Sequence, residues 1–256
     1  GGETLRRVGV APDQSMEQRD LSVVAGHIGE RQLVELTWLK QPLNLLWVRL
    51  GDGGQASFSY HAEQNVEGWN RHGIAARGLP SEDEPLAGGM ALESSCVVPG
   101  VSGRPRLFMI VRRIKDGAVQ RMILRLADKA DRLFLDAAEA TADGLDIAGV
   151  SGLDHLKGEA VTLMAATAPG AAAPGHGWGE YRDRVVDGGG TAALPDGERA
   201  RRIYAGLPYR SRWEGLPVDM GGPGASAGRK VAYTHAHIVL EAAVAYAGTT
   251  GAEGDS

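Results

Sequence analysis

Five Asp-Gly dipeptides set the strongest limit on what this chain can fold into. They begin at Asp52, Asp116, Asp143, Asp187 and Asp196 and are flanked by short apolar runs. Asp-Gly favours the left-handed backbone of tight hairpin turns, which join neighbouring antiparallel strands. The chain also has 37 glycines among 256 residues, which indicates many turns and many short elements. We therefore predict a mainly all-β protein built from antiparallel strands.

The segment 33–72 shows this pattern in its most compact form. An apolar run of strand length, 45–48, is followed by a Gly-Asp-Gly-Gly turn and by an alternating run, 56–60. Strand-like runs precede and follow this pair. Four short strands in about forty residues are the size of one blade of a β-propeller. The same order of apolar strand, Asp-Gly turn and alternating strand recurs between residues 92 and 126.

The chain divides into two parts that differ in composition and in the spacing of strand-like runs. We predict propeller-like antiparallel blades over residues 1–135, with a short helix near 20–28 that Asp20 caps. Residues 136–256 contain Ala-, Gly- and Pro-rich stretches between short strand-like runs. We predict a smaller β-barrel or β-sandwich domain there, with mobile loops and a disordered C-terminus.

Charge and cysteine content exclude several classes of protein. The formal net charge is −5, which does not indicate a general nucleic-acid binder. The single cysteine, Cys96, permits neither an intrachain disulfide nor a cysteine zinc site, and we interpret it as a buried small apolar residue. No apolar stretch reaches the length of about 20 residues that a membrane-spanning helix needs, so we expect no stable membrane insertion.

Basic residues are concentrated between Arg104 and Arg125, where Asp116 is the one acidic residue. Solvated strand faces explain such a run, and a contact with an acidic patch of a neighbouring subunit is the alternative. A second candidate contact is the segment 206–212, where Pro208 favours a bend or a sheet edge. The candidate interface residues are Arg112, Arg113, Tyr209, Arg210 and Arg212.

Motifs for catalysis or metal binding are weak. Two histidines alternate on one predicted strand, serines accompany an Asp-His pair, and three glutamates suggest glycosidase carboxylates, but none has a complete signature. These residues are His235 and His237; Ser94, Ser95, Ser151, Asp154 and His155; and Glu63, Glu67 and Glu180. Of the tryptophans, we expect Trp47 and Trp69 in the core and Trp178 exposed in a Gly-rich loop. We therefore predict no catalytic residue, no cofactor and no metal.

Several segments together resemble the tail nozzle proteins of short-tailed bacteriophages, also called tail tubular protein B or tail stabilisation proteins. The resemblance covers about residues 18–240. It is carried by the order and spacing of segments 20–27, 33–38, 41–48, 58–60, 63–72, 152–158, 206–212 and 216–217. Family members usually have a further β-rich portion before this point. This chain is accordingly interpreted as a fragment, a shortened homologue or a relative with another place in the tail.

The resemblance implies a non-enzymatic structural protein of the virion tail. It implies a β-rich subunit that assembles as a homo-oligomeric ring, a hexamer, and continues the DNA-ejection channel below the portal. Its partners would be other phage tail proteins, such as the adaptor and fibres, with genomic DNA passing through transiently. The alternative is a phage tail-associated glycan-binding module or cell-envelope-degrading enzyme.

Overall fold

The computed structural model describes residues 2–209, apart from 11–13, 24, 42–43, 62–65, 76–88, 101–102, 128–132, 134, 142–143, 145 and 167–177. The strands are β1 Arg6–Val10, β2 Met16–Asp20, β3 Leu33–Leu39, β4 Leu45–Leu50, β5 Gln55–His61, β6 Val66–His72, β7 Ala91–Val98, β8 Arg106–Lys115, β9 Ala118–Arg125, β10 Asp136–Ala140, β11 Gly149–Val150, β12 Ala160–Ala166, β13 Trp178–Val185, β14 Ala192–Ala193 and β15 Arg202–Leu207. A single-turn helix, α1, spans Gly26–Gly29, and a 3-10 turn spans Asp154–Leu156. The protein is thus almost entirely β, as predicted.

The first sheet is an antiparallel meander of four strands in the order β3-β4-β5-β6. Its strands match the four predicted within 33–72. The β4–β5 turn depends on Gly53, whose φ is +82° and whose carbonyl accepts a 2.8 Å hydrogen bond from the Leu92 amide. A Cβ at Gly53 would lie 2.8 Å from the Ala91 Cβ. The Asp-Gly turn therefore also joins the first sheet to β7.

An N-terminal hairpin, β1–β2, and helix α1 lie beside one face of the first sheet. Ala25 and Ile28 pack there against Val48 and Phe58. The predicted helix near 20–28 is reduced to the turn at Gly26–Gly29. Asp20 ends β2 instead of capping the helix.

The reason is a local hydrogen bond at Asp20. Its Oδ1 accepts from the Ser22 amide at 2.8 Å and from the Ser22 hydroxyl at 2.7 Å. Such side-chain bonds stabilise turns in competition with a helix. These bonds also hold the pKa of Asp20 below its ordinary value.

The second sheet has three antiparallel strands in the order β7-β8-β9. Leu92, Leu107 and Val111 from this sheet pack in one cluster with Trp47 of β4. The strand pattern predicted between 92 and 126 is confirmed. Thr37 and Glu35 of β3 hydrogen-bond to Ser95 of β7, which fastens the two sheets together.

The third sheet has four antiparallel strands in the order β10-β15-β12-β13. Its central strands are mostly apolar and buried on both faces, as the consecutive residues Leu163 and Met164 of β12 and Ile203 and Tyr204 of β15 show. One expectation differs from this arrangement. Trp178 begins strand β13 instead of lying in an exposed loop. Trp178 stacks on Tyr204 with ring centroids 5.3 Å apart.

The larger apolar cluster crosses the boundary predicted at residue 135. It contains Leu107 and Met109 of the second sheet together with Leu153, Val161 and Leu163 from beyond that point. Among the described residues, the sheets are small and antiparallel, and none closes on itself. The C-terminal residues 210–256, including the predicted strand that carries His235 and His237 and the predicted disordered end, lie outside the described part of the chain.

Candidate interaction surface

Strand alternation divides the basic residues of the second sheet between two faces. Leu107, Met109 and Val111 of β8 are buried, and the residues between them face outward. Strands β8 and β9 are joined by Asp116 and Gly117, with φ values of +50° and +77°, the mirror-image turn that suits strand twist. We define the outer face by the register of these strands as Arg106, Phe108, Ile110, Arg112, Ile114, Val119, Arg121, Ile123 and Arg125.

Arg112 lies on the outer face directly opposite Arg121, an arrangement that like-charge repulsion disfavours. A β-bulge between Leu92 and Ser94 brings Glu93 beside both guanidinium groups. Its Oε1 is 3.3 Å from Arg112 Nε, and its Oε2 is 2.8 Å from Arg121 Nε. The hydrogen bond from Arg121 holds the pKa of the Glu93 carboxyl below its ordinary value. Arg112 is therefore positioned by a neighbouring strand and remains open to solvent.

Arg113 lies on the opposite, inner face and bonds within the chain. Its Nη1 donates to Glu159 Oε2 at 2.9 Å, its Nη2 to the His155 carbonyl at 2.7 Å, and its Nε to Gln120 Oε1 at 2.7 Å. Lys115 Nζ is 3.1 Å from Glu159 Oε1. Burial acts to raise the pKa of Glu159, but hydrogen bonds from Arg113 and Lys115 outweigh it and hold that pKa below its ordinary value.

The sequence grouped Arg113 with Arg112 as candidate interface residues, and the structure separates them. Only 11% of the Arg113 side chain is exposed, against 45% for Arg112. Arg113 therefore ties the second sheet to the turn that precedes β12. Consecutive strand residues point to opposite faces, so their separation follows from the strand itself.

The second predicted contact is described only at its start. Tyr209 follows strand β15 and is 36% exposed. Its neighbours Arg210 and Arg212 lie outside the described residues. The proposed role of this segment in subunit contact stays a prediction.

Sequence reasoning missed the aliphatic component of the outer face. Ile114 and Ile123 are 73% and 74% exposed, and Val119 and Ile110 are 53% and 41% exposed. They form cross-strand pairs, Ile110 with Ile123 and Ile114 with Val119. The sequence did contain a signal for this surface, because β8 and β9 have apolar residues at both alternating sets of positions. Such a pattern indicates a sheet with an apolar surface on each side.

Two other apolar surfaces lie on the N-terminal half. Val34, Leu36 and Trp38 are exposed along β3, the edge strand of the first sheet. Val10 and Met16 pair across the β1–β2 hairpin and are 71% and 74% exposed. Each surface is a strand edge or hairpin with apolar side chains in water.

Among the described residues, Asp136 and His72 have large pKa shifts, and both are partly buried. Burial raises the pKa of Asp136 to about 6, although the Ala75 amide donates a 2.6 Å hydrogen bond to its Oδ2. Burial lowers the pKa of His72 to about 4. His72 Nε2 is 2.8 Å from Ser57 Oγ, and the ring stacks on Trp47 at 4.5 Å. His72 thereby links β6 to β5, and Asp136 links the start of β10 to Ala75.

The residues considered for catalysis make other contacts in the structure. Asp154 Oδ1 is 2.5 Å from Lys157 Nζ, and His155 Nε2 is 2.8 Å from the Ala137 carbonyl oxygen. Glu180 pairs with Arg182 at 2.8 Å. The described residues hold no group of three or more His, Cys, Asp or Glu placed to bind a metal ion. His235, His237 and Glu63 lie outside this part of the chain.

Cys96 differs from the sequence interpretation as well. It is exposed on β7, opposite Phe108, instead of buried. In the same described part of the chain, no helix has the length and apolar character needed to cross a membrane.

Comparison with known proteins assigns no family. No family model matches the chain, and no curated protein matches it. The resemblance to nozzle proteins is therefore carried by the sequence segments alone, and the function is inferred from those segments and from the surfaces described above.

Proposed function

We propose that this protein is a structural subunit of a bacteriophage tail, of the nozzle or tail tube type. It forms a ring that continues the DNA-ejection channel and docks other tail proteins. The observation that supports an assembly role best is the set of large apolar side chains that the open sheets leave in water. They include Val8, Val10, Met16, Val34, Leu36, Trp38, Ile110, Ile114, Val119 and Ile123.

Exposed apolar surface of this kind has a physical meaning. Single apolar residues on a surface are common, but monomeric soluble proteins seldom expose contiguous apolar patches. Here the exposed residues follow strands and strand edges, where they pair across neighbouring strands. Neighbouring subunits would remove this surface from water and give the assembly its stability.

The finer architecture belongs to the same proposal. The first sheet has the strand number and antiparallel connection of one propeller blade. We propose that residues 1–135 form the propeller-like part and that residues 136–256 form a smaller sandwich or barrel attached to it. The Arg113–Glu159 pair fixes the two parts to each other.

The partners follow from the role. A ring of six copies encloses the channel, and adaptor and fibre proteins bind its outer surfaces. Genomic DNA passes through without being held, because a conduit that bound DNA tightly would slow ejection. Any DNA affinity of the basic residues is therefore weak and falls steeply with salt.

Imaging with an activity screen tests this proposal. The purified chain, viewed by negative-stain electron microscopy, is expected to form rings with a central opening. A parallel screen on cell-wall polysaccharide is expected to show neither release of fragments nor retention of the protein. A monomer that degrades or binds the polysaccharide would support the alternative, a glycan-binding module or envelope-degrading enzyme.

A further inference from the structure

The outer face of the second sheet combines two features that are seldom exposed together. Its aliphatic side chains form two cross-strand pairs, Ile110 with Ile123 and Ile114 with Val119, the second of them next to the turn. Arg112 and Arg121 lie between the two pairs, and Arg106 and Arg125 lie at the end of the strands away from the turn. Exposed aliphatic pairs interleaved with arginines are typical of a protein contact surface, where arginine is enriched.

Strand β9 lies at one side of this sheet. It pairs with β8 alone, and no strand of the described ranges occupies its second edge. Proteins usually protect such edges, because they pair readily with another chain. The face and the edge therefore offer apolar area and backbone hydrogen bonds to the same partner.

Charge indicates what that partner is. Glu93 pairs with Arg112 and Arg121, whereas Arg106 and Arg125 have no acidic partner among the described residues. The face is net basic, while the whole chain has a formal net charge of −5. The remainder of the chain is consequently more acidic than the chain as a whole, and a second copy offers the complementary charge.

The same charges also fix the kind of contact. Two outer faces placed against each other in a two-fold dimer would bring arginines against arginines. A head-to-tail contact avoids this repulsion, because the basic face of one copy meets an acidic surface of the next. Repeated head-to-tail contacts close into a ring or continue as a filament.

We propose that the outer face of the second sheet binds a second copy of this chain in a head-to-tail contact. Ile114 and Ile123 are the apolar anchors, and Arg106 and Arg125 pair with carboxylates of the neighbour. This inference rests on the proposed assembly role and names the surface that performs it.

The test uses the full chain and two matched variants. The double variant Ile114→Glu with Ile123→Glu places carboxylates on the outer face, where nearby arginines on the same strand face help to keep the subunit folded. Val185→Glu is the control, because Val185 is 64% exposed on β13, away from this face. Mass in solution is measured across dilution for all three proteins.

Cys96 supplies an independent readout without any mutation. It is the only cysteine, and the register places it opposite Phe108, in the same cross-strand row of the outer face as Arg125. Its rate of modification by a maleimide is compared between the assembled protein and the protein dissociated by dilution. We expect roughly a tenfold slower reaction in the assembly, since a contact that excludes water also excludes the reagent.

The outcomes separate this inference from the proposed function. Assembly of the wild type and of the control, with loss of assembly in the double variant and slowed Cys96 modification, supports both. A wild type that assembles while the double variant assembles equally well, or while Cys96 reacts at its monomer rate, overturns the surface alone. A wild type that stays monomeric overturns the assembly role and, with it, this contact.

Discussion

Arg113 Nη2 lies 2.5 Å from Glu159 Oε1, and this pair joins β8 of the second sheet to the segment leading into β12 of the third. The side chains are 11% and 23% exposed, so water screens the pair only in part. Lys115 shares the same carboxylate. One glutamate therefore neutralises two cations that would otherwise face the interior.

Removing this carboxylate is expected to destabilise the fold. Glu159→Ala leaves Arg113 and Lys115 without their partner, and we predict a loss of about 2–3 kcal/mol in the free energy of unfolding. Urea denaturation measures it. Glu180→Ala is the control, because its partner Arg182 is 62% exposed and exposed pairs contribute little. Equal losses in the two variants would show that Glu159 has no special structural role.

Trp47 is a core residue, as predicted, and is 4% exposed. We expect Trp47→Ala to lower the free energy of unfolding by about 3–5 kcal/mol, as large core truncations do. Trp38→Ala, on a side chain 45% exposed, is expected to cost much less. Thermal melts of both variants against the wild type measure the difference. If the Trp47 variant melts at the same temperature as the wild type, the result contradicts the packing of Trp47 between the first and second sheets.

The Gly53 turn provides a test of the contact between the first two sheets. Gly53→Ala combines a φ of +82° with a Cβ only 2.8 Å from Ala91 Cβ. Gly117→Ala is the matched control, since its φ is +77° and no atom lies within 4 Å of its added Cβ. Both carry backbone strain of about 1 kcal/mol. We predict a clearly larger loss at position 53, measured by chemical denaturation, and similar losses would argue against the close approach.

The raised pKa of Asp136 makes the free energy of unfolding depend on pH in a definite direction. Its pKa is raised to about 6 in the folded protein, from an ordinary value of 3.8. The folded state therefore binds the proton more tightly than the unfolded state, so this stabilisation is complete below pH 4 and is lost as the pH rises through 6. Relative to wild type, Asp136→Asn should become more stable between pH 4 and pH 7, by about 2–3 kcal/mol.

His72 acts in the opposite sense over nearly the same range. Its pKa is lowered to about 4, so the unfolded state binds the extra proton between pH 4 and 6.5 and stability from this group rises with pH. The two groups offset each other in the wild type. Denaturation curves at several pH values therefore have to compare each variant with the wild type. An Asp136→Asn difference that stays constant with pH would contradict the burial of this carboxyl.

Local patterns made part of the fold predictable. The hairpin at Asp116 and Gly117 follows from two residues that tolerate positive φ between alternating strands. The four strands of the first sheet follow from the same logic. The strand at Asp136–Ala140 and the strand that starts at Trp178 lack such signals, because pairing with β15 and β12 produces them. Non-local pairing of this kind overrides weak intrinsic preference.

The candidate surface was predictable only in part. The clustering of basic residues was visible, and period-two alternation separates Arg112 from Arg113. What covers each face depends on long-range packing. Arg113 is covered by the turn that contains His155 and Glu159. Both residues lie more than forty positions after Arg113 in the sequence.

The mass of the purified full chain in solution, measured across a wide dilution range, decides whether this protein assembles into a ring. We predict one closed species of six chains at high concentration, which dissociates on dilution without populating an open-ended series of larger particles. A monomer at every concentration would contradict the proposal that this protein is a ring-forming structural subunit.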